Sequence, residues 1–352
     1  MYFKKLLITS FLFCAAHIML NAQTETINTI VIEQNQEAEL AYNNGIQLLN
    51  AQQYGQAIQQ FELAIRYNPQ FLKAYINLGA AKTYTNDLDG AISAYNYVLG
   101  VDSTIAQVWY SRAMVYFSKN DFMSCLRDVT KAILLQYETA EAYYYQGVCM
   151  FFIKDYKGAV SAYTNAIQLN PRYAYAYNDR GSARRMMGDI DRAVGDYEQA
   201  LRLNPEMANT YDNLGSVLLK SGDIEGAIRN FDLAIKWKPD FYGAYNNRGE
   251  AKYLQGKYKE AFADFKKALE INPKYAFAYN NIGIMYAKMK RYNEAVEMYT
   301  RAIQIDPAFG LAYYNRGAAQ EMLRKFDETC QDMIQARKHG VDVSAALTSG
   351  CN

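Results

Sequence analysis

All six prolines of the chain stand on one residue class: Pro69, Pro171, Pro205, Pro239, Pro273 and Pro307 differ by multiples of 34. A chain folding as one irregular globule has no reason to space its helix-breaking residues that way, so the spacing points to a tandem repeat. With the proline at position 32, repeats start at 38, 72, 106, 140, 174, 208, 242, 276 and 310, and the ninth ends at 341 without an insertion anywhere. Position 8 is then Gly in every repeat but the third, where Ala113 stands. Position 20 is Ala except at Cys125 and Thr329, and position 27 is Ala except at Val98.

Each column has a physical task. Tyr245, Gly249 and Lys252 fall at helical spacing, as do Ala261, Phe265 and Ala268, so each unit reads as two amphipathic helices. Small residues at positions 8 and 20 let the two backbones approach. An aromatic at position 24 (Phe61, Tyr95, Tyr163, Tyr197, Phe231, Phe265, Tyr299) fills the space beside them. An Asn-Pro pair such as Asn170-Pro171 ends the second helix, because proline lacks the next donor and restricts the residue before it. One such hairpin cannot bury its apolar face alone, so the hairpins must stack. The pattern resembles the tetratricopeptide repeat, over residues 38 to 341. Departures are local: Ser103 and Tyr137 replace the proline, and repeat nine ends in Val341. The resemblance implies an all-α, right-handed superhelix, an α-solenoid of nine helix-turn-helix repeats with a concave inner groove. Residues 23–37 read as a polar lead-in, and 342–352, with Val343, Ala345, Ala346 and Leu347, as a short C-terminal capping helix.

The first residues read as an address. Lys4 and Lys5 precede an apolar run from Leu6 to Leu20, interrupted by Thr9, Ser10 and His17, which describes a secretory signal over 1–22 with cleavage expected after Ala22. The run is short for a membrane span, which needs about 20 residues, and no integral membrane segment is expected after cleavage. Attachment of lipid at Cys14 is disfavoured because Phe13, not a small residue, precedes it. The expected location is the periplasm or the cell surface.

Chemistry-bearing residues are scarce. Lys and Arg total 37 against 36 acidic residues, which argues against nucleic acid as a partner. After cleavage only His339 remains, and neither a zinc site nor a nucleophilic triad can be assembled. No cofactor, metal or enzymatic role is expected. Export favours oxidised cysteines, and a Cys330–Cys351 bridge would staple the C-terminal cap, contributing roughly 3 kcal/mol for a loop of that length. Cys125 reads as a buried core thiol, with Cys149 as a less favoured partner.

Two columns move together. Position 7 is Arg in repeats three, five, seven and nine (Arg112, Arg180, Arg248, Arg316), and position 23 is Asp in those repeats and no others (Asp128, Asp196, Asp264, Asp332). In a hairpin where position 8 meets position 20, these residues lie within about a turn of one another, so structural ion pairs are expected. Duplication of a two-repeat ancestor would produce the same pattern without coupling.

In tetratricopeptide proteins the first helix of each repeat lines the groove through positions 2, 5, 6, 9, 12 and 13. Position 6 is Asn at 43, 77, 213, 247, 281 and 315. An amide both donates and accepts, so Asn77, Asn213, Asn247, Asn281 and Asn315 are candidates to hold the backbone of an extended peptide. The C-terminal run resembles the asparagine ladder of O-linked glycosyltransferase solenoids. The alternative is that Asn is common at this column or caps the groove with water. Repeats three and four instead carry Tyr110, Met114, Phe117, Tyr144, Tyr145, Val148, Phe151 and Phe152. Tyr110, Phe117 and Tyr144 are expected to form an apolar partner surface, and Phe152 to pack between helices. The leading expectation is a non-catalytic scaffold holding a protein or peptide segment in its groove. The alternatives are an assembly component of a cell-envelope complex, using its convex face or ends, and a carrier arm for a separate enzyme.

Overall fold

A computed structural model describes residues 33–343. The signal expected over 1–22, most of the lead-in and the cap from 344 onward, Cys351 included, lie outside the described residues. Within them the secondary structure is helical throughout. The chain divides into two compact units, 1–171 and 172–352. The first holds α1 (33–50), α2 (Tyr54–Tyr67), α3 (Leu72–Tyr84), α4 (Leu88–Val101), α5 (Ala106–Ser118), α6 (Phe122–Leu134), α7 (Ala140–Phe152) and α8 (Tyr156–Leu169). The second holds α9 (Ala174–Met186), α10 (Ile190–Leu203), α11 (Ala208–Ser221), α12 (Ile224–Trp237), α13 (Tyr242–Leu254), α14 (Tyr258–Ile271), α15 (Ala276–Lys288), α16 (Tyr292–Ile305), α17 (Gly310–Met322) and α18 (Phe326–Lys338). From α3 on, every odd-numbered helix begins at position 1 of a repeat, and every even-numbered helix begins at position 17. Within each unit the hairpins stack in sequence, an all-α solenoid.

The glycine at position 8 is dictated by the ring at position 24. A Cβ on Gly283 would stand 2.5 Å from the Tyr299 ring, and one on Gly45 would stand 2.6 Å from Phe61. Repeat three, the one with Ala113 at position 8, carries Val129 at position 24, and both are fully buried. The smaller partner makes room for the methyl group.

Turns follow from the same bookkeeping of backbone groups. Position 15 is left-handed in all nine hairpins, from Asn120 at φ 58° to Gly222 at φ 91°. Position 16 then caps the second helix: Asp87, Asp121, Asp155 and Asp223 each accept an amide N–H three residues on. At the far end, position 31 is extended at Asn68, Asn204, Asn272 and Asp306, before proline. Each side chain accepts the N–H two residues on, as Asn68 does from Gln70 at 3.0 Å; Lys238, before Pro239, has no acceptor to offer. Repeat two reaches the same turn without proline, because Asp102 accepts from both the N–H and the hydroxyl of Thr104. Repeats three and nine lack both devices, and position 31 becomes left-handed at Gln136 and Gly340.

Cys125 and Cys149 are free, fully buried thiols of one apolar cluster. Their mutual hydrogen bond and their burial push the Cys125 thiol well above its usual range. Cys330 is held in a disulfide, and the partner expected for it, Cys351, lies outside the described residues.

Candidate functional site

The Arg and Asp columns meet in every repeat that has them. Arg112 Nε and Nη2 donate to the two carboxylate oxygens of Asp128 at 2.6 and 3.1 Å. The same fork joins Arg180 to Asp196 (3.0 and 2.7 Å), Arg248 to Asp264 (2.9 and 2.6 Å) and Arg316 to Asp332 (both 2.7 Å). All four carboxylates are buried. A further arm reaches the preceding repeat: Arg112 Nη1 donates to Asn96, Arg248 Nη1 to Asp232 and Arg316 Nη1 to Thr300. These acceptors share position 25 and were not anticipated; a polar residue in the repeat before the arginine was the available signal. Each guanidinium also lies over the aromatic ring at position 4, 4.7 Å from Trp109 for Arg112 and 5.3 Å from Tyr245 for Arg248. With all three nitrogens engaged, Arg112, Arg248 and Arg316 each tie their repeat to the one before.

The asparagines at position 6 are engaged in a different way. Asn315 Nδ2 donates to Asn280 Oδ1 at 2.9 Å, Asn281 Nδ2 to Asn246 Oδ1 at 3.0 Å, and Asn247 Nδ2 to Asp212 Oδ1 at 2.9 Å. Each acceptor is position 5 of the preceding repeat. Longer contacts within a repeat, Asn280 to Asn281 at 3.5 Å and Asn246 to Asn247 at 3.4 Å, complete a directional chain that ends on Asp212. Asn213 donates to Asn178 at 3.5 Å, and Thr210 donates to the same oxygen at 2.8 Å. In the first unit Asn77 donates to the Tyr42 hydroxyl at 3.2 Å. One N–H of each amide is therefore committed to holding adjacent repeats in register; Asn77 Nδ2 also donates back to the Lys73 carbonyl at 3.0 Å, and Asn213, Asn247, Asn281 and Asn315 are half-buried. Burial raises the Asp212 carboxyl pKa, while the Asn247 hydrogen bond and the nearby Arg185 charge oppose the rise.

Repeats three and four gather their rings into clusters. Tyr110 packs on Tyr137, the residue at the missing proline, with centroids 4.9 Å apart. Phe117 meets Phe122 and Tyr145, and Tyr144 meets Tyr145 and Tyr163, so all three residues are half-buried inside packed clusters. Phe152, expected between helices, is 54% exposed and stacks on Phe122 at 4.2 Å with the rings nearly parallel. Position 13 ends its helix at the edge of the stack, where a ring can cover its neighbour only on one side. Positions 5 and 12 lie where successive repeats touch.

His339 stacks on Tyr313, and among the described residues no group of His, Cys, Asp and Glu is placed to hold a metal ion. No described helix is long and apolar enough to cross a membrane.

Tetratricopeptide repeat family models match residues 42–104, 140–173, 174–207 and 240–308, and a further TPR repeat model matches 215–256. Between them they span more than half of the chain. The chain belongs to the tetratricopeptide repeat family. Among solved structures, a TPR protein from Parabacteroides merdae is 19% identical, with TM-score 0.54, over 67% of this chain and 94% of that one. The C-terminal part of a TPR repeat-containing protein from Cytophaga hutchinsonii is 17% identical, with TM-score 0.54, over 68% of this chain and 98% of that one. Both share the fold. YrrB, a TPR protein described as having an unusual peptide-binding site, is 25% identical over 52% of this chain and 95% of its own, with TM-score 0.48. No curated protein matches the chain. The TPR fold is that of an interaction scaffold, and its partners are proteins or peptides.

Proposed function

We propose that this TPR protein is a non-catalytic scaffold that holds an extended peptide segment on the first-helix face of residues 172–343. The observation that carries the reading is the amide chain from Asn315 to Asp212. Its half-buried members Asn247, Asn281 and Asn315 are fixed in register by their neighbours, so their amides recur once per repeat along the stack. A peptide backbone offers the complementary groups at regular spacing, whatever its side chains. Because the amides are already ordered, little side-chain entropy is lost on binding.

The test is selection of a random twelve-residue peptide library against the full chain, followed by affinity measurement of the selected peptides with Asn213, Asn247 and Asn281 all changed to Ala. Loss of binding, with the helical circular dichroism retained, supports the reading. Selection of no peptide, or unchanged affinity in the triple variant, overturns it. Export is proposed on Lys4, Lys5 and the run Leu6–Leu20. Fractionation of the producing cell tests it, since a cytoplasmic protein retaining its first 22 residues would refute it.

A further inference from the structure

In repeats seven and nine the arginine at position 7 fills the space between adjacent repeats. Arg248 forks on Asp264 at position 23, donates to Asp232 at position 25 of the repeat before, and lies over the Tyr245 ring at position 4. Arg316 does the same with Asp332, Thr300 and Tyr313. Repeat eight, between them, has no such arginine. Its counterparts are Ile282 at position 7, Met298 at position 23, Tyr279 at position 4 and, from repeat seven, Lys266 at position 25. All four line one cavity of about 410 Å3, which Phe262, Leu269 and Tyr286 also wall. The cavity stands where the guanidinium lies in the flanking repeats.

Its polarity is reversed as well. Where Arg248 and Arg316 find acceptors, at positions 23 and 25, the cavity offers a thioether and an ammonium group. Ile282 is buried, and Phe262, Leu269, Tyr279, Tyr286 and Met298 are half-buried, so the interior is apolar. Lys266, Glu270 and Arg301 are its exposed residues and mark the mouth. Glu270 is paired with Lys267 at 3.1 Å, and Arg301 donates to Glu297 at 2.8 Å. Both carboxylates beside the cavity are thus engaged, while Lys266 forms no ion pair among the described residues. A complementary ligand inverts the arginine: a flat apolar body over the position 4 ring, ending in an acceptor. The volume falls within the range of small-molecule sites, about 300–1,000 Å3. We propose that this cavity binds a small aromatic carboxylate, its ring against Tyr279, Ile282 and Met298 and its carboxylate at Lys266. None of the amides at positions 5 and 6 lines the cavity, so the proposal does not rest on the peptide-scaffold reading.

Isothermal titration of the full chain with naphthoate and with the neutral naphthylmethanol tests it. Naphthoate is expected to bind about threefold more tightly or better, a margin in keeping with an exposed lysine, and to weaken as salt rises. Lys266→Ala should bring naphthoate down to the affinity of the alcohol and leave the alcohol unchanged. Ile282→Arg with Met298→Asp rebuilds the fork of the flanking repeats inside the cavity. It should weaken both probes by about tenfold or more, with the helical circular dichroism retained. Should the double variant lose helicity, Met298→Trp narrows the cavity by a single change and should weaken both probes likewise. The variant with Asn213, Asn247 and Asn281 changed to Ala should bind naphthoate as the wild type does, which separates this site from the amide face. The proposal is overturned if the full chain binds neither probe or both equally, if affinity survives filling the cavity, or if the asparagine variant loses it.

Discussion

At positions 5 and 6, repeats three and four carry Tyr110, Ser111, Tyr144 and Tyr145, whereas repeats six to eight carry Asp212, Asn213, Asn246, Asn247, Asn280 and Asn281. In the first region neighbouring repeats meet through rings, such as Phe117 against Tyr145. In the second they meet through amide hydrogen bonds whose acceptors Asn246 and Asn280 are buried. Ring contacts tolerate small displacements. A buried amide does not, since an acceptor left without its donor costs about 1–3 kcal/mol. The same columns therefore yield a packed apolar face in one region and an ordered polar one in the other. An apolar substitution should be absorbed in the first and felt in the second.

The largest expected effect concerns what the two regions share. Asp128 is fully buried and is held by Arg112 and Arg127, so Asp128→Ala leaves Arg112 without its fork in a buried site. A loss of about 3–5 kcal/mol is expected. Asp332→Ala should cost less, because the Arg316 side chain is more exposed than that of Arg112. Thermal melts of both variants measure the difference. Equal losses would show that burial does not set the strength of these pairs.

A smaller effect separates repeat three from the rest. Gly283→Ala should cost about 1–3 kcal/mol, since the new methyl group meets the Tyr299 ring. Val129→Tyr should be equally costly against Ala113 and should be rescued by adding Ala113→Gly. A double-mutant cycle in which the two changes are additive would refute the steric link between positions 8 and 24.

Much of this was legible in the sequence because the repeat shows each constraint many times over. The proline, glycine and alanine columns carry the helix boundaries and the close approach, and the Arg and Asp columns carry residues that the structure brings together within one hairpin. What was not legible lies between repeats. The amide chain links residues 35 apart, one more than the period, so no column contains both partners. The arginine's second acceptor sits 16 residues upstream, in the preceding repeat. In repeats three and four, residue type indicates apolar surface but not which neighbouring ring packs on it, as Tyr137 does on Tyr110.

Asp212 ends the amide chain, and its protonation distinguishes the polar region from the aromatic one. Its folded pKa is raised, so in the window between the ordinary Asp range and that raised value the folded state binds more protons than the unfolded one. Stability associated with this group is full below the ordinary range and is lost as pH rises through the window. Asp212→Asn should therefore melt at a higher temperature than the wild type at neutral pH, with the gap closing as pH falls below about 4. A gap that widens on acidification would mean that the Arg185 charge and the Asn247 hydrogen bond outweigh burial.

The smallest effect lies in the hairpin turns, where the two units differ again. Position 15 is left-handed throughout, yet the first unit places Gln52, Asn86, Asn120 and Lys154 there, while the second has glycine at three of its five turns, Gly188, Gly222 and Gly256. A side chain in that conformation brings its Cβ close to the following carbonyl, at a cost of about 1–2 kcal/mol, and Asn recovers part of this through local hydrogen bonding. Glycine removes the clash but adds entropy to the unfolded chain, so the net gain on replacement falls below about 1 kcal/mol. Lys154→Gly should therefore raise the melting temperature slightly, and Asn120→Gly less or not at all. Gly256→Ala in the second unit should lower it. If Asn120→Gly gained as much as Lys154→Gly, the asparagine turns would carry the same strain as the lysine turn, and the first unit's choice of residues would have no energetic basis.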